Sequence, residues 1–355
     1  MGKRHSIAIY PGDGIGIEVT AEAVKALRAV EKRFGLTLDL TDIDWGSQYW
    51  QKTGKIAPDD YLDQLRKFDA VLLGAVGDPK RIPDHITLIP LMGMRQNFDQ
   101  YVCLRPARLL PGVRTPLANK EAGSIDMLIV RENSEGEYAL IGGHLKPGTA
   151  DEVSIQTSVH TRKGVERILR YGFELARTRR KHLTMATKSN AFKYSMVMWD
   201  SILEQVAPDY PDVQADKFHI DALSMHFVQC PERFDVVVAS NLFGDILSDL
   251  GGAITGSIGL APSANINPER THPSLFEPVH GSAPDIAGKG IANPVAAVRS
   301  AAMMIRFLGE ADAAACIETA VDAGLADGCV RTPDLGGTSS TTQVGDDIVR
   351  RILGV

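Results

Sequence analysis

Two aspartates carry the strongest chemical signal in this chain. In the stretch Phe234–Gly252, FDVVVASNLFGDILSDLGG, an apolar run ends in a turn and a helical pattern follows, placing Asp245 and Asp249 four residues apart. On a helix that spacing makes the two side chains neighbours, with Cβ atoms about 5–6 Å apart. Ile246, Leu247 and Leu250 predict that much of the same helix packs away from water. Like charges held together beside an apolar face repel, and a bound cation relieves the repulsion. A third acid, Asp221, follows the short apolar run Phe218–Ile220. Carboxylate ligands of this kind favour magnesium or manganese over zinc, and no His-rich or Cys-rich cluster competes with them.

Other residues suit the handling of an anionic substrate. Arg95, Arg105 and Arg131 lie in a region with few balancing acids, and a guanidinium fork binds a carboxylate at two points. Lys188 follows the apolar run Leu183–Thr187, and Tyr138 closes the segment RENSEGEY (131–138). The loop His280-Gly281-Ser282-Ala283-Pro284-Asp285 offers small residues and a carboxylate suited to a ribose diol, and Asn293-Pro294 closes it. Two phosphate-binding patterns fail. In Gly12-Asp13-Gly14-Ile15-Gly16 the third glycine of a Rossmann fingerprint is replaced by Ile17, so a tight strand-to-helix turn is the better reading. Gly288-Lys289 is followed by Gly290, where a P-loop needs Ser or Thr to hold magnesium.

The elements that must position these residues alternate. Apolar runs at Ser6–Tyr10, Ala70–Leu73, Ile125–Val130, Leu183–Ala186, Phe218–Ile220 and Asp235–Ala239 are separated by helical patterns such as Glu18–Phe34, Gly164–Arg179 and Ser195–Val206. That alternation predicts an α/β protein with a mostly parallel sheet. Ser154–Thr161 reads as a half-buried strand and a possible antiparallel element. Four runs end at Arg131, Lys188, Asp221 and the aspartate pair. Ligands in open α/β sheets bind beyond the carboxyl ends of strands, so these ends outline one site.

Composition excludes several classes. At 355 residues, with 44% hydrophobic and 23% charged content, the chain reads as globular with room for two domains. A net charge of −6, with both signs dispersed, argues against nucleic acid or an acidic membrane as partner. No apolar run reaches the ~18–20 residues a membrane span needs. The N-terminal stretch MGKRHSIAIYPGDG passes into a strand pattern without an apolar leader, and the four cysteines show no paired spacing. Buried, reduced thiols and a cytoplasmic location are expected.

Taken in order, the motifs resemble a known family. GDGIG, Arg95 to Arg105-Pro106, RENSEGEY, TKSN (187–190), HIDAL (219–223), NLFGDILSDLGG (241–252) and EPVHGSAPDIAGKGIANP (277–294) are similar to those of the decarboxylating β-hydroxyacid dehydrogenases. That family includes the isocitrate, 3-isopropylmalate, D-malate and tartrate enzymes. The resemblance spans nearly the whole chain and implies the two-domain isocitrate/isopropylmalate dehydrogenase fold, which is not Rossmann. Residues 1–100 and 256–355 would form the cofactor domain, and 101–255 the substrate, metal and dimerisation domain.

The resemblance also implies roles. Arg95, Arg105 and Arg131 would clamp substrate carboxylates, and Leu91 and Met92 would line the pocket for the C3 substituent. Asp221, Asp245 and Asp249 would hold Mg²⁺ or Mn²⁺. Lys188 would serve as base and Tyr138 as proton donor, with Lys188 and Asp221 supplied by the partner subunit of a homodimer. Asn190, His280, Gly281, Ser282, Ala283, Asp285, Ile286 and Asn293 would bind NAD, Asp285 disfavouring a 2′-phosphate. Members of the family often respond to K⁺ or NH₄⁺, which is carried as a further cofactor expectation.

For the substrate, Asp44-Trp45, Thr53-Gly54-Lys55, GAVGDP (74–79), Pro83-Asp84-His85 and FDQYV (98–102) look most like the D-malate/tartrate branch. The serine and asparagine of isocitrate enzymes are missing before Arg95, and Leu88 stands where isopropylmalate enzymes typically carry glutamate. Leu91 and Met92 would nevertheless suit an alkyl group, and the stretch lacks the tryptophan associated with the malate/tartrate branch. 3-Isopropylmalate is therefore the alternative substrate. A non-catalytic regulatory subunit is remote, because Tyr138, Lys188 and all three aspartates are retained.

Overall fold

The computed structural model describes residues 4–355, so Met1–Lys3 of the N-terminal stretch lie outside the described residues. Its strands are β1 (Arg4–Gly12), β2 (Thr37–Asp42), β3 (Ala70–Ala75), β4 (Val102–Arg108), β5 (Asp126–Glu132), β6 (Gly142–Leu145), β7 (Val153–Gln156), β8 (His182–Thr187), β9 (Gln214–His219), β10 (Val236–Ala239), β11 (Pro262–Ile266) and β12 (Ser274–Pro278). Ten of them form one sheet in the order β2-β1-β3-β12-β11-β4-β5-β10-β8-β9, while β6 and β7 pair separately. Pairing is antiparallel only at β12–β11, β11–β4 and β4–β5, and parallel elsewhere in the large sheet.

The central strands read as continuous apolar runs because helices cover both faces. Every residue of β3 and of β10 is buried. Strand direction reverses across β12–β11–β4–β5, and the sequence is most polar there. β4 carries Arg105, β11 carries Ser263 and Asn265, and β12 carries Glu277, all buried. Buried polar side chains in mid-sheet need partners, and they find them in one another.

The turn from β1 into the helix Ile15–Phe34 is a packing device. Gly12 (φ +71°) and Gly14 (φ +58°) adopt left-handed backbone, and a Cβ on Gly14 would stand 2.0 Å from the Ser282 carbonyl oxygen. The Ile15 amide donates to that oxygen at 2.8 Å. The helix N-terminus is therefore satisfied by the protein's own backbone, as the broken Rossmann pattern implied.

Two expectations are corrected. Val153–Gln156 is a strand, but all four residues are exposed rather than half-buried. It pairs only with β6, in an arm that lies outside the large sheet. Of the four free cysteines only Cys103 is buried, and Cys329 is exposed. Among the described residues no helix is long and apolar enough to cross a membrane.

Candidate active site

Glycine spacing brings the helix Asn241–Ile254 onto β5. A Cβ on Gly244 would lie 2.5 Å from the Arg131 Cβ, so only glycine permits this approach. The result is a tight charge cluster. Arg131 is 1% exposed and donates from Nε (3.0 Å) and Nη2 (2.6 Å) to Asn241 Oδ1, while Nη1 donates to Asp245 Oδ1. Arg105 reaches the same carboxylate from β4: Nη1 donates to Asp245 Oδ1 at 3.1 Å and to Ser248 Oγ at 2.7 Å, and lies 3.9 Å from Asp249 Oδ1. Arg95, on the helix Ile89–Asn97, donates to Glu277 Oε1 at 3.3 Å, and its buried Nε has no partner. The Tyr138 hydroxyl completes the cluster by donating to Asp245 Oδ2 at 3.0 Å.

These groups line one cavity of about 200 Å³, together with Leu88, Leu91, Met92, Glu277 and Val279. Three arginine heads form its polar floor and the leucines and methionine its apolar wall. That division suits a small molecule with two carboxylates and a modest C3 group. Burial alone would raise the Asp245 pKa, but the positive charges of Arg131, Arg105 and Arg95 and the Tyr138 hydroxyl outweigh it and hold the pKa below the ordinary value. Asp249 moves the other way, raised by burial and by the neighbouring Asp245 charge against the pull of Arg105. Burial and the Asp245 charge raise the Tyr138 phenol, so it remains a protonated donor at neutral pH.

Lys188 and Asp221 form a second cluster. Lys188 Nζ donates to Asp221 Oδ1 at 2.7 Å, and that hydrogen bond is the main reason the exposed Asp221 is held below its usual pKa. Lys188 follows β8, and Asp221 lies in the first turn of the helix Ile220–Gln229 after β9. Both pairs sit at carboxyl ends of the adjacent parallel strands β5-β10-β8-β9. Strands are spaced ~4.8 Å apart, however, so one chain keeps Lys188 and Asp221 roughly two or three strands from Arg131. Neither lines the arginine cavity, and no group of three metal-type ligands forms within one chain among the described residues.

The 280–293 loop frames another cavity of about 310 Å³, lined by Ile15, His280, Ala283, Ile286, Asn293 and Asp334 among others. His280 also borders the arginine cavity, as does Gly281. The His280 Nδ1 lies 3.0 Å from the Gly281 carbonyl oxygen, which fixes Nδ1 as donor and leaves Nε2, buried and unpartnered, as acceptor. Burial also lowers the His280 pKa, which keeps the ring neutral. Ser282 is buried against the β1 turn, whereas Asp285 and Asn190 are exposed and line neither cavity. The sequence reading did not include Glu277 or Asp334 among the site residues. Glu277 was visible as the single acid in the apolar run Ser274–Val279, and Asp334 had no comparable signal.

Next to Arg131 in β5, Glu132 is 1% exposed and accepts from the Ser134 and Glu135 amides and the Ser134 hydroxyl. Burial nevertheless pushes its pKa up to about 7, from an unperturbed 4.5. Between those values the folded state binds the proton more readily than the unfolded chain does. Stability from this group is therefore present at low pH and lost as pH rises through about 7. Glu132→Gln is expected to flatten the decline in melting temperature from about pH 5 to 8, and an unaltered slope would place the titrating group elsewhere.

Comparison with known proteins follows the same lines. A family model described as isocitrate/isopropylmalate dehydrogenase matches residues 6–348. The chain is 55% identical to the decarboxylating D-malate dehydrogenase of Escherichia coli (strain K12), over 99% of this chain and 100% of that relative. Identity is 54% to a tartrate dehydrogenase/decarboxylase of Pseudomonas putida, covering 96% of this chain and 95% of the relative. It is 52% to a 3-isopropylmalate dehydrogenase of Thermobifida fusca (strain YX), covering 98% and 97%. Among solved structures, isocitrate dehydrogenase from Methylococcus capsulatus matches with a TM-score of 0.88 at 40% identity, covering 98% of this chain and 99% of that one.

Proposed function

This chain belongs to the isocitrate/isopropylmalate dehydrogenase family, and on that premise we propose that it catalyses NAD-dependent oxidative decarboxylation of D-malate, tartrate or a close 2-hydroxy diacid, with Mg²⁺ or Mn²⁺. The observation that carries the reading is the convergence of three buried arginines, a protonated phenol and the Asp245 carboxylate on one small cavity, with Asp249 Oδ1 3.9 Å from Arg105 Nη1. The apolar wall of Leu88, Leu91 and Met92 offers no cation for a third substrate carboxylate. The names of the relatives at 55% and 54% identity support the same branch.

Asp245 and Asp249 are hard oxygen donors one helical turn apart and fit such an ion, with Asp221 of the partner subunit completing the set. Bound there, the ion would supply Lewis-acid polarisation at the 2-hydroxyl oxygen. The chain's own groups do the rest. Arg95, Arg105 and Arg131 hold the two carboxylates. Bound NAD would take the hydride from C2, and Lys188 of the partner subunit accepts the hydroxyl proton as the 2-keto acid forms. The bond from C3 to its carboxylate then breaks, CO₂ departs, and Tyr138 donates a proton to C3 of the resulting enolate. The neutral His280 Nε2 suits the amino group of an adenine, and Asp285 suits a ribose diol rather than a 2′-phosphate.

We take residues 1–100 with 256–355, and residues 101–255, as the two domains, meeting where β11 adjoins β4 in the sheet. A homodimer is supported by apolar side chains left in water. Leu140, Ile141, Leu145, Val153 and Ile155 are exposed on or beside the β6–β7 arm, and Met225, Val228 and Ile246 on the helices that follow β9 and β10. Patches of this kind mark interfaces.

3-Isopropylmalate is the second reading, favoured by the same apolar wall and by the 52% identical relative. Steady-state kcat/KM with NAD and Mn²⁺ on D-malate, tartrate and 3-isopropylmalate decides between them. D-malate or tartrate is expected to lead, and a preference beyond about tenfold for isopropylmalate overturns the assignment.

A further inference from the structure

A cavity of about 410 Å³ shares Asp334 with the cavity that His280 lines, and is bordered by Gly112, Val113, Arg114, Arg331, Leu335 and Gly336 among others. Its size falls within the ~300–1,000 Å³ range of small-molecule sites. Arg114 and Arg331 line it, and among the described residues neither has a carboxylate within 4.0 Å. That is unusual in this chain, where most arginines around the other cavities are ion-paired.

Arg331 is held in place by backbone. Its Nη2 donates to the Gly112 carbonyl at 2.8 Å and to the Leu325 carbonyl at 2.9 Å. A Cβ on Gly112 or Gly328 would stand 2.8 or 2.7 Å from Nη2, so two glycines frame the guanidinium. Nε is buried with no hydrogen-bond partner. A buried donor without a partner costs free energy. The only acid on the wall, Asp334, is already occupied: Thr332 Oγ1 donates to Oδ1 at 2.5 Å, and Ser257 Oγ (2.7 Å) and Asn293 Nδ2 (3.0 Å) donate to Oδ2.

We propose that this cavity is a binding site for a phosphate group, gripped between Arg114 and Arg331 and separate from the arginines of the reaction cavity. A phosphate accepts from several donors at once, and paired arginines are the usual means of recognising one. The occupant is either inorganic phosphate or a small phosphate ester, and the cavity leaves room for the ester's organic part.

Isothermal titration of the whole protein at low ionic strength tests this, with inorganic phosphate in one arm and ribose 5-phosphate in the other. Both are expected to bind, and Arg114→Glu is expected to weaken binding at least about tenfold without altering turnover. Arg331→Lys, which keeps the charge but loses the fork, should weaken it less. Arg131→Gln serves as the control for binding in the reaction cavity and should retain the affinity. Tighter binding of the ester identifies a phosphorylated metabolite class, and equal affinity identifies the free ion. No binding in either arm overturns the proposal. So does binding that survives Arg114→Glu with an unchanged melting temperature, or that is lost only in Arg131→Gln.

Discussion

Asp245→Asn is expected to lower kcat by about 10³-fold or more while the protein stays folded. The carboxylate sits where three donors meet, accepting from Arg105, Arg131 and Tyr138 with Asp249 one turn away. Asparagine has the same shape and can still accept from one arginine. Arg131 also keeps its two bonds to Asn241, and Arg105 keeps Ser248. Structural loss should therefore be modest. What disappears is the negative charge, which burial disfavours and three arginines sustain. A divalent ion needs that charge. The paired measurements are melting temperature, kcat, and the Mn²⁺ concentration for half-maximal rate. A variant turning over within about twofold of the parent, or a parent indifferent to rigorous chelation, would remove the metal from the reaction.

The sequence made the parallel part of the fold readable and left the reversal obscure, for a physical reason. Strands buried on both faces must be apolar throughout, so β3, β5, β8 and β10 stand out as runs. β4, β11 and β12 are also largely buried, but they carry polar side chains, and β4 and β12 lend Arg105 and Glu277 to the arginine cavity. VCLRPAR, PSANI and SLFEP carry arginine, asparagine, glutamate and proline where a strand pattern would want valine. Buried polar residues broke the apolar pattern where the strand direction reverses. The acidic residues had the opposite fate. Asp245 and Asp249 declared themselves by helical spacing, and the structure brings Asp245 to one cavity with Arg95, Arg105, Arg131 and Tyr138. No spacing rule could show that Arg105 and Arg131 would share the Asp245 carboxylate, since those contacts join residues more than a hundred positions apart. Nor could spacing show that one chain holds Lys188 and Asp221 in a pair apart from the arginine cavity, although the family resemblance implied that a partner supplies them.

That separation yields the sharpest test of a shared site. If each reaction centre takes Asp245 and Tyr138 from one protomer and Lys188 from the other, then Lys188→Met and Asp245→Asn should each be inactive as pure dimers, yet active when mixed. In the hybrid, one centre combines the intact Asp245 cluster of the first protomer with the intact Lys188 of the second. The other centre collects both lesions. Random association puts about half the molecules in hybrids with one good centre of two, so activity should return to about a quarter of the parent value. From parents reduced by about 10³-fold, that is a rise of more than a hundredfold. Co-expression with two affinity tags isolates the hybrid, in which about half the parent activity is expected. The same experiment with Tyr138→Phe and Asp245→Asn is the control. Those two residues touch within one chain, so each centre of that hybrid keeps one lesion and no recovery should follow. No recovery in the Lys188 pair would mean that each centre is built within a single protomer, and recovery in the control pair would mean that Tyr138 and Asp245 serve different centres.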